Sequence, residues 1–231
     1  MKKVSKNYVE ASKKIDSKKL YSYSEAIKLV KSLSKTKFDS TIDVAIKLNL
    51  NTKKSDQQLR GSIVLPNGTG KNPKVLVVTK KEAEAAKKAK ADFIGDDDMI
   101  KKIEKENWFD FDVIVATPDM MVSLGKIGKI LGPKGLMPNP KTGTVTNNVE
   151  ETVSKIKKGM IEYKTDTYAN IHAIIGKVSF TEKKLEENLI SLINEIVKQK
   201  PASSKGTYIK NISVSSTMGP GVKIDKNSFD I

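Results

Sequence analysis

Two short segments carry part of a pattern for phosphate chemistry, and each lacks a residue that the chemistry needs. Segment 68–71, Gly-Thr-Gly-Lys, has the end of a phosphate-binding loop, but that loop needs glycine where Leu65 stands and serine or threonine where Asn72 stands. Segment 140–144 has the pattern that ion-pumping ATPases phosphorylate, yet Pro140 occupies the position of the nucleophilic carboxylate. Neither segment predicts phosphoryl transfer.

The other reactive side chains form no recognisable catalytic or metal-binding set. The chain has no cysteine and one histidine, His172, which excludes disulfides, thiolate metal sites and multi-histidine metal centres. His172 falls in a predicted strand, with no acid or serine nearby that completes a triad. The acids at 96–98 could bind a divalent cation, but acids just ahead of a helical segment more often cap that helix. We expect no enzyme activity, no metal and no cofactor.

Net charge is the strongest global feature of the sequence. Basic side chains number 42 and acidic ones 27, which gives +15 at pH 7 and favours a nucleic acid or an anionic membrane surface as partner. Apolar runs such as Val75–Val78 are far shorter than the ~20 residues that span a bilayer. The basic segment 1–8 is not followed by the apolar stretch of a signal peptide. We expect a cytoplasmic protein without a membrane partner, and we favour nucleic acid.

Two glycine-containing segments are candidates for contact with a polyanion. Segment 125–141 has four glycines, three prolines and four lysines but no acid, so its backbone can approach a partner while its ammonium groups meet phosphates. Glycine and proline alone would also fit a flexible connector. Segment 217–221 follows a strand with a hydroxyl, a thioether and two glycines, which suit the shallow minor groove of RNA, although they also fit an ordinary turn.

The elements that must position these segments follow two patterns. Near the start, 22–34 has apolar residues at helical spacing with Ser24 as a cap, and 41–50 alternates as a half-buried strand does. The first twenty residues show no period. After 148 the chain resumes this pattern with a helix through Lys158, antiparallel-type strands at 160–164 and 171–175, a long amphipathic helix capped by Thr181, and a last strand at 208–215.

Between these stretches, short apolar strands alternate with helices. The predicted strands are 75–78, 93–94 and 113–116, and the predicted helices are 80–90, 97–106 and 118–131. Such alternation indicates a parallel sheet covered by helices on both faces.

The sequence therefore predicts an α/β (α+β) protein of two domains. An outer, discontinuous two-layer α/β domain comprises 1–67 plus 158–231, and an inserted three-layer α/β/α domain with a parallel sheet comprises 68–157. The inserted segment has 16 basic and 13 acidic side chains, whereas the flanking segments have 26 and 14. We expect the outer domain, which carries most of the net charge, to be the main binder of a polyanion.

Three separated stretches resemble the signature regions of the ribosomal protein L1 family. They are Lys-Phe-Asp-Ser-Thr at 37–41 with Gln-Gln-Leu-Arg-Gly at 57–61, the run 127–144, and 208–221. The similarity covers nearly the whole chain and includes the highly specific Gly/Pro-rich run. It implies the two-domain architecture above and a noncatalytic role in the large ribosomal subunit.

The resemblance also implies partners. L1-like proteins bind the 23S-type rRNA of a mobile stalk near the E site, take part in release of deacylated tRNA, and often repress translation of their own messenger RNA. The implied partners are large-subunit rRNA, E-site tRNA and the protein's own mRNA. The protein is expected to be a monomer outside the ribosome.

The family's rRNA contacts match residues of the outer domain, with Asp166 as a weaker addition. Lys37 would neutralise phosphate, Phe38 would pack against a sugar edge, and Thr217 with the Gly219 backbone would bond 2′-hydroxyls. The full implied set is Lys37, Phe38, Thr41, Asp166, Thr217, Met218 and Gly219. From the repeated lysines of the middle run we also expect a possible secondary contact with RNA or tRNA, made by Lys126, Lys129, Lys134 and Lys141.

Two departures from the family pattern bear on RNA binding. Asn211 stands where the family often has serine, so the hydroxyl there is missing. Arg60 is the only arginine among 42 basic residues, so point charges replace guanidinium forks and binding should be more sensitive to salt. Two rival classes are a small-molecule enzyme using a crevice between domains, which lacks residues for chemistry, and a membrane-surface adaptor, for which no basic amphipathic terminal helix is predicted.

Overall fold

The computed structural model describes residues 5–16, 18–80, 83–204 and 206–229. Its helices are α1 (Lys6–Lys13), α2 (Tyr23–Leu33), α3 (Ala83–Lys88), α4 (Asp97–Glu106), α5 (Met121–Lys126), α6 (Gly128–Leu131), α7 (Val149–Lys157) and α8 (Glu182–Lys198). Its strands are β1 (Thr41–Leu48), β2 (Arg60–Val64), β3 (Val75–Val78), β4 (Phe93–Gly95), β5 (Val113–Ala116), β6 (Met160–Lys164), β7 (Asn170–Lys177), β8 (Ile209–Ser216) and β9 (Val222–Ile224).

The chain divides into two compact units, each with its own core. The first, which we call the outer unit, comprises Met1–Gly70 with Ile161–Ile231, and the second, which we call the inserted unit, comprises Lys71–Met160. The boundaries predicted from the sequence, 67/68 and 157/158, lie three residues before the observed boundaries at 70/71 and 160/161. Separate folding of the two segments stays a prediction. Within the described ranges, no helix is long and apolar enough to cross a membrane.

The outer unit is a four-stranded sheet with helices on one face. The strand order is β7-β1-β8-β9, and each neighbouring pair is antiparallel. Every second residue of β1 points into a core that α2 and α8 cover, because successive side chains of a strand alternate between faces. The opposite face of the sheet carries partly exposed side chains. This is the predicted two-layer domain, with a small second sheet of β2 and β6 beside it.

The inserted unit is a three-layer α/β/α structure around a parallel sheet of order β4-β3-β5. All four residues of β3 are buried, as a strand covered on both faces requires. Leu76 and Val78 belong to a cluster with residues of α4, α5 and α6, whereas Val75 and Val77 belong to a second cluster with residues of α3 and α7. The predicted fold class is therefore confirmed for both units.

Several local predictions need correction. Ser22, not Ser24, caps α2, because the Ser22 hydroxyl accepts the N–H of Glu25 at 3.3 Å. Segment 118–131 is not one helix: a 3-10 turn precedes α5, and Ile127 separates α5 from α6. Thr181 occupies the cap position of α8 but makes no capping side-chain bond. The elements α1 and β9 were not predicted at all.

Candidate nucleic-acid interface

Six of the residues implied by the resemblance come together at one end of the outer sheet. Lys37 and Phe38 lie in the loop between α2 and β1, and Thr41 begins β1. Residues 217–219 follow β8, the antiparallel neighbour of β1, and Ile42 pairs with Ser216. The beginning of one strand and the end of the other therefore bring the two loops side by side. We call this group of six residues the loop cluster: Lys37, Phe38, Thr41, Thr217, Met218 and Gly219.

Thr217 joins the two halves of the loop cluster. Its backbone N–H donates to the Thr41 carbonyl at 3.0 Å, and its hydroxyl donates to the same oxygen at 3.2 Å. The Thr41 N–H donates to the Thr217 hydroxyl oxygen at 3.1 Å. A threonine hydroxyl has one donor and two acceptor positions, so one acceptor position remains. Thr217 can therefore accept a hydrogen bond from a ligand but has no hydroxyl proton left to give.

One buried hydroxyl and two partly buried ones fix the loop that carries Lys37 and Phe38. Ser40 is fully buried, and its hydroxyl lies within hydrogen-bonding distance of the hydroxyls of Ser34 and Thr36. Thr36 also donates to the Phe38 carbonyl at 2.9 Å. These bonds satisfy the polar groups inside the turn. The Phe38 side chain of the same loop is 56% exposed.

Asp39 ties the same loop to the segment after β7. Its carboxylate accepts the Ser179 hydroxyl at 2.8 Å and the Ser179 N–H at 3.1 Å. These bonds, led by the hydroxyl and helped by the ammonium of Lys177, hold the pKa of Asp39 below its ordinary value. This positioning role of Asp39 was not predicted from the sequence, although the serine- and threonine-rich composition of 34–41 was an available signal.

The loop after β8 depends on glycine for a steric reason. The Gly219 N–H donates to the Ser216 carbonyl at 2.9 Å, which closes a tight turn. A Cβ atom on Gly219 would lie 2.3 Å from the Ser216 hydroxyl oxygen, and Ser216 is buried. Met218, between them, is 67% exposed. The turn therefore presents a large apolar side chain to solvent beside Phe38.

Asp166 lies away from the loop cluster. It precedes β7, whose first residue, Asn170, pairs with Lys47 near the far end of β1. At the usual rise of a strand, Lys47 lies roughly 20 Å from Thr41. Its carboxylate accepts the N–H groups of Asn170 and Tyr168 at 2.7 and 2.8 Å and the Asn170 side-chain amide at 2.8 Å. These bonds, the Asn170 backbone bond first, lower the pKa of Asp166. Its observed contacts order the loop before β7.

The four lysines of the middle run lie in the inserted unit, and all are exposed. Lys126 ends α5 and Lys129 lies in α6, while Lys134 and Lys141 lie in the turns that follow. The Lys134 ammonium lies 4.0 Å from the centre of the Phe109 ring, a cation–π contact. The run is held in the unit by the side chains of Ile127, Leu131 and Pro138, which are buried. This packing excludes a flexible connector.

Two further positions have clear environments. The Arg60 guanidinium bonds one carboxylate oxygen of Glu162 through two nitrogens, at 2.6 and 2.7 Å. That pairing joins β2 to β6 and occupies part of the only guanidinium in the chain. Asn211 is exposed on β8.

Within the described ranges, no group of three or more histidine, aspartate or glutamate side chains could hold a metal ion.

Comparison with known proteins identifies the family. The model of the ribosomal protein L1p/L10e family matches residues 30–220. Large ribosomal subunit protein uL1 of Mycoplasma capricolum is 56% identical over 97% of this chain and 100% of the relative. The proteins of the same name from Phytoplasma australiense and Lactobacillus acidophilus are 58% identical, over 96% of this chain and 97% of the relative, and 55% identical over the whole of both. The chain therefore belongs to the ribosomal protein L1p/L10e family.

Proposed function

We propose that the protein is a structural component of the large ribosomal subunit that binds the 23S-type rRNA of the L1 stalk near the E site. The observation that carries the proposal is the loop cluster, where a lysine, two exposed apolar side chains and a fixed hydroxyl share one surface. Most of the net charge lies in the same part of the chain. The names of the relatives, which are large-subunit proteins, support the assignment to the ribosome.

The chemistry of the loop cluster suits recognition of RNA by shape. Lys37 attracts phosphate without reading sequence. Phe38 and Met218 offer apolar surface to ribose edges, and the remaining acceptor of Thr217 suits a 2′-hydroxyl, which distinguishes RNA from DNA. The Gly219 N–H already bonds Ser216, so its carbonyl oxygen is the backbone group that would meet a second 2′-hydroxyl.

The proposal extends to tRNA and to messenger RNA. Exposed Lys126, Lys129, Lys134 and Lys141 suit a secondary contact with tRNA phosphates during release of deacylated tRNA. Repression of the protein's own translation would need an mRNA segment that occupies the loop cluster. A fragment of that mRNA should then compete with rRNA in proportion to its own affinity, whereas deacylated tRNA should not compete.

We also propose that 68–157 folds separately from 1–67 plus 158–231, and that the protein is a monomer outside the ribosome. Limited proteolysis should cut near 66–71 and 157–161 before it degrades either segment. Analytical ultracentrifugation should give the mass of one 25.5 kDa chain. Early cleavage inside β3 or α8, or a dimer mass, would contradict these statements.

The proposed function is tested by binding the full chain to an rRNA stalk fragment and to an unrelated duplex RNA across a salt series. We expect a preference for the stalk that persists at ~0.2 M salt, because shape recognition survives screening that weakens phosphate contacts. Phe38→Ala should weaken stalk binding, while Leu20→Ala, at a side chain of similar exposure (53%), should not. Equal affinity for both RNAs would overturn the proposal.

A further inference from the structure

A cavity of about 370 Å³ lies between the loop cluster and the first helix. The α1 side contributes Asn7, Tyr8 and Ala11, and the loops contribute Phe38, Met218 and Gly219. Its volume falls within the range of about 300–1,000 Å³ that is usual for small-ligand sites. Helix α1, which was not predicted from the sequence, therefore forms one side of a cavity whose other side is the loop cluster.

Two contacts fix the position of α1, and a capping bond fixes its first turn. Ser5 caps the helix by accepting the Tyr8 N–H at 3.3 Å, and Ala11 is buried. The Lys35 ammonium lies 3.1 Å from the Glu10 carboxylate, which ties the helix to the loop before β1. Because an exposed ion pair alone contributes little, the burial of Ala11 is the main anchor.

The lining of the cavity combines flat apolar groups with positive charge. Eight large hydrophobic side chains are exposed among the described residues, and Tyr8, Phe38 and Met218, three of these eight, line this cavity. The described lining also includes Lys37, and Lys35 whose ammonium is paired with Glu10, but no acidic residue. Aromatic surface next to the Lys37 ammonium matches a nucleotide, since every base has a face that stacks and every nucleotide has a phosphate.

We propose that this cavity receives one unpaired nucleotide of the bound RNA, with its base stacked on Tyr8. Phe38 and Met218 close the other side of the base, and Lys37 meets the phosphate. The Asn7 amide, which can donate and accept, faces the edge of the base. The proposal rests on the proposed function, because it assigns α1 to the same RNA-binding surface.

The test uses the full chain and rRNA stalk fragments that carry 2-aminopurine, a fluorescent base, at one unpaired position at a time. At one position, wild-type protein should quench the fluorescence by stacking. Tyr8→Leu keeps apolar volume and helix propensity but removes the ring, so that quenching should disappear at saturating protein. Tyr8→Ala should weaken binding roughly 5- to 150-fold, the range for loss of one base–aromatic stack.

Two matched variants make the result specific. Tyr8→Phe should keep both affinity and quenching, because the ring is retained. Val9→Ala, at the next residue of α1 with 42% exposure and no part in the lining, should bind like wild type. Circular dichroism should show that all four variants keep the wild-type melting temperature.

The outcomes separate this inference from the proposed function. If wild type prefers the stalk over an unrelated duplex, but both substitutions that remove the Tyr8 ring leave affinity and quenching unchanged, the nucleotide site is wrong and rRNA binding stands. If wild type shows no preference for the stalk, both proposals fail. Loss of quenching with Tyr8→Leu and loss of affinity with Tyr8→Ala, with neither loss for Val9→Ala, establishes the site.

Discussion

The Asn188 side chain is a buried polar anchor whose removal should measurably destabilise the outer unit. It is fully buried in α8, accepts the Asn67 N–H at 3.0 Å, and donates to the carbonyls of Gly68 and Ile175 at 3.0 and 2.8 Å. Asn188→Ala removes three hydrogen bonds. At about 1 kcal/mol for each bond, with more for the buried Ile175 carbonyl that loses this donor, we expect a loss of roughly 3–4 kcal/mol.

Urea unfolding monitored by circular dichroism gives the free energy of unfolding for each variant. Asn188→Asp should destabilise the fold more strongly at neutral pH, because it replaces the side-chain NH2 donor with a carboxylate oxygen that faces the carbonyls of Gly68 and Ile175. Its carboxyl should have a raised pKa, so the variant should gain stability as pH falls and protonation restores a donor. The control is Asn194→Ala, at an exposed position of the same helix, with an expected change within about 0.5 kcal/mol. Equal effects of Asn188→Ala and Asn194→Ala would refute the reasoning.

Three further predictions concern other buried or close contacts. The buried Tyr163 hydroxyl has no hydrogen-bond partner among the described residues, and burial raises its pKa to about 12, so Tyr163→Phe should stabilise the fold by about 1 kcal/mol in urea. Wild type should also lose stability between about pH 10 and 12, where the unfolded tyrosine ionises and the folded one does not, and Tyr163→Phe should reduce that loss in alkaline melts. Asp39→Asn should weaken stalk binding by loosening the loop of Lys37. Because the folded pKa of Asp39 is lowered, its contribution to wild-type stability persists above about pH 3.8 and disappears on further acidification, which an acid titration of wild type against Asp39→Asn would show. Gly219→Ala should weaken stalk binding, and adding Ser216→Ala should recover much of it because the 2.3 Å clash is removed; no recovery in a binding titration would count against the steric explanation.

The strongest sequence patterns were those with many repeats of one period. Alternation along β1 and the apolar run of β3 predicted which residues are buried, and both appear as expected. Helix α1 was missed because eight residues give about two turns, and Ala11 is the only residue described as buried there. Its presence also removes one reason that was given against a membrane-surface adaptor.

Site residues and their hydrogen bonds differ in how far sequence can predict them. The resemblance gave the identities of the loop cluster, but Thr41 and Thr217 are 176 positions apart, and no local pattern predicts that their groups bond. Asp166 is the opposite case. Its bonds reach residues two and four positions ahead, which is an Asx turn that the sequence could have suggested.

The most direct test of RNA recognition by the loop cluster is a double-mutant cycle between Thr217→Val and single 2′-deoxy substitutions in the stalk fragment. Binding is measured for wild type, Thr217→Val and the control Thr207→Val, an exposed threonine ahead of β8. At one nucleotide, removing the 2′-hydroxyl should cost wild type and Thr207→Val roughly 3- to 10-fold in affinity and cost Thr217→Val nothing more. If every 2′-deoxy substitution costs Thr217→Val as much as wild type, the Thr217 hydroxyl does not contact the RNA, and RNA recognition by the loop cluster through this hydroxyl is contradicted.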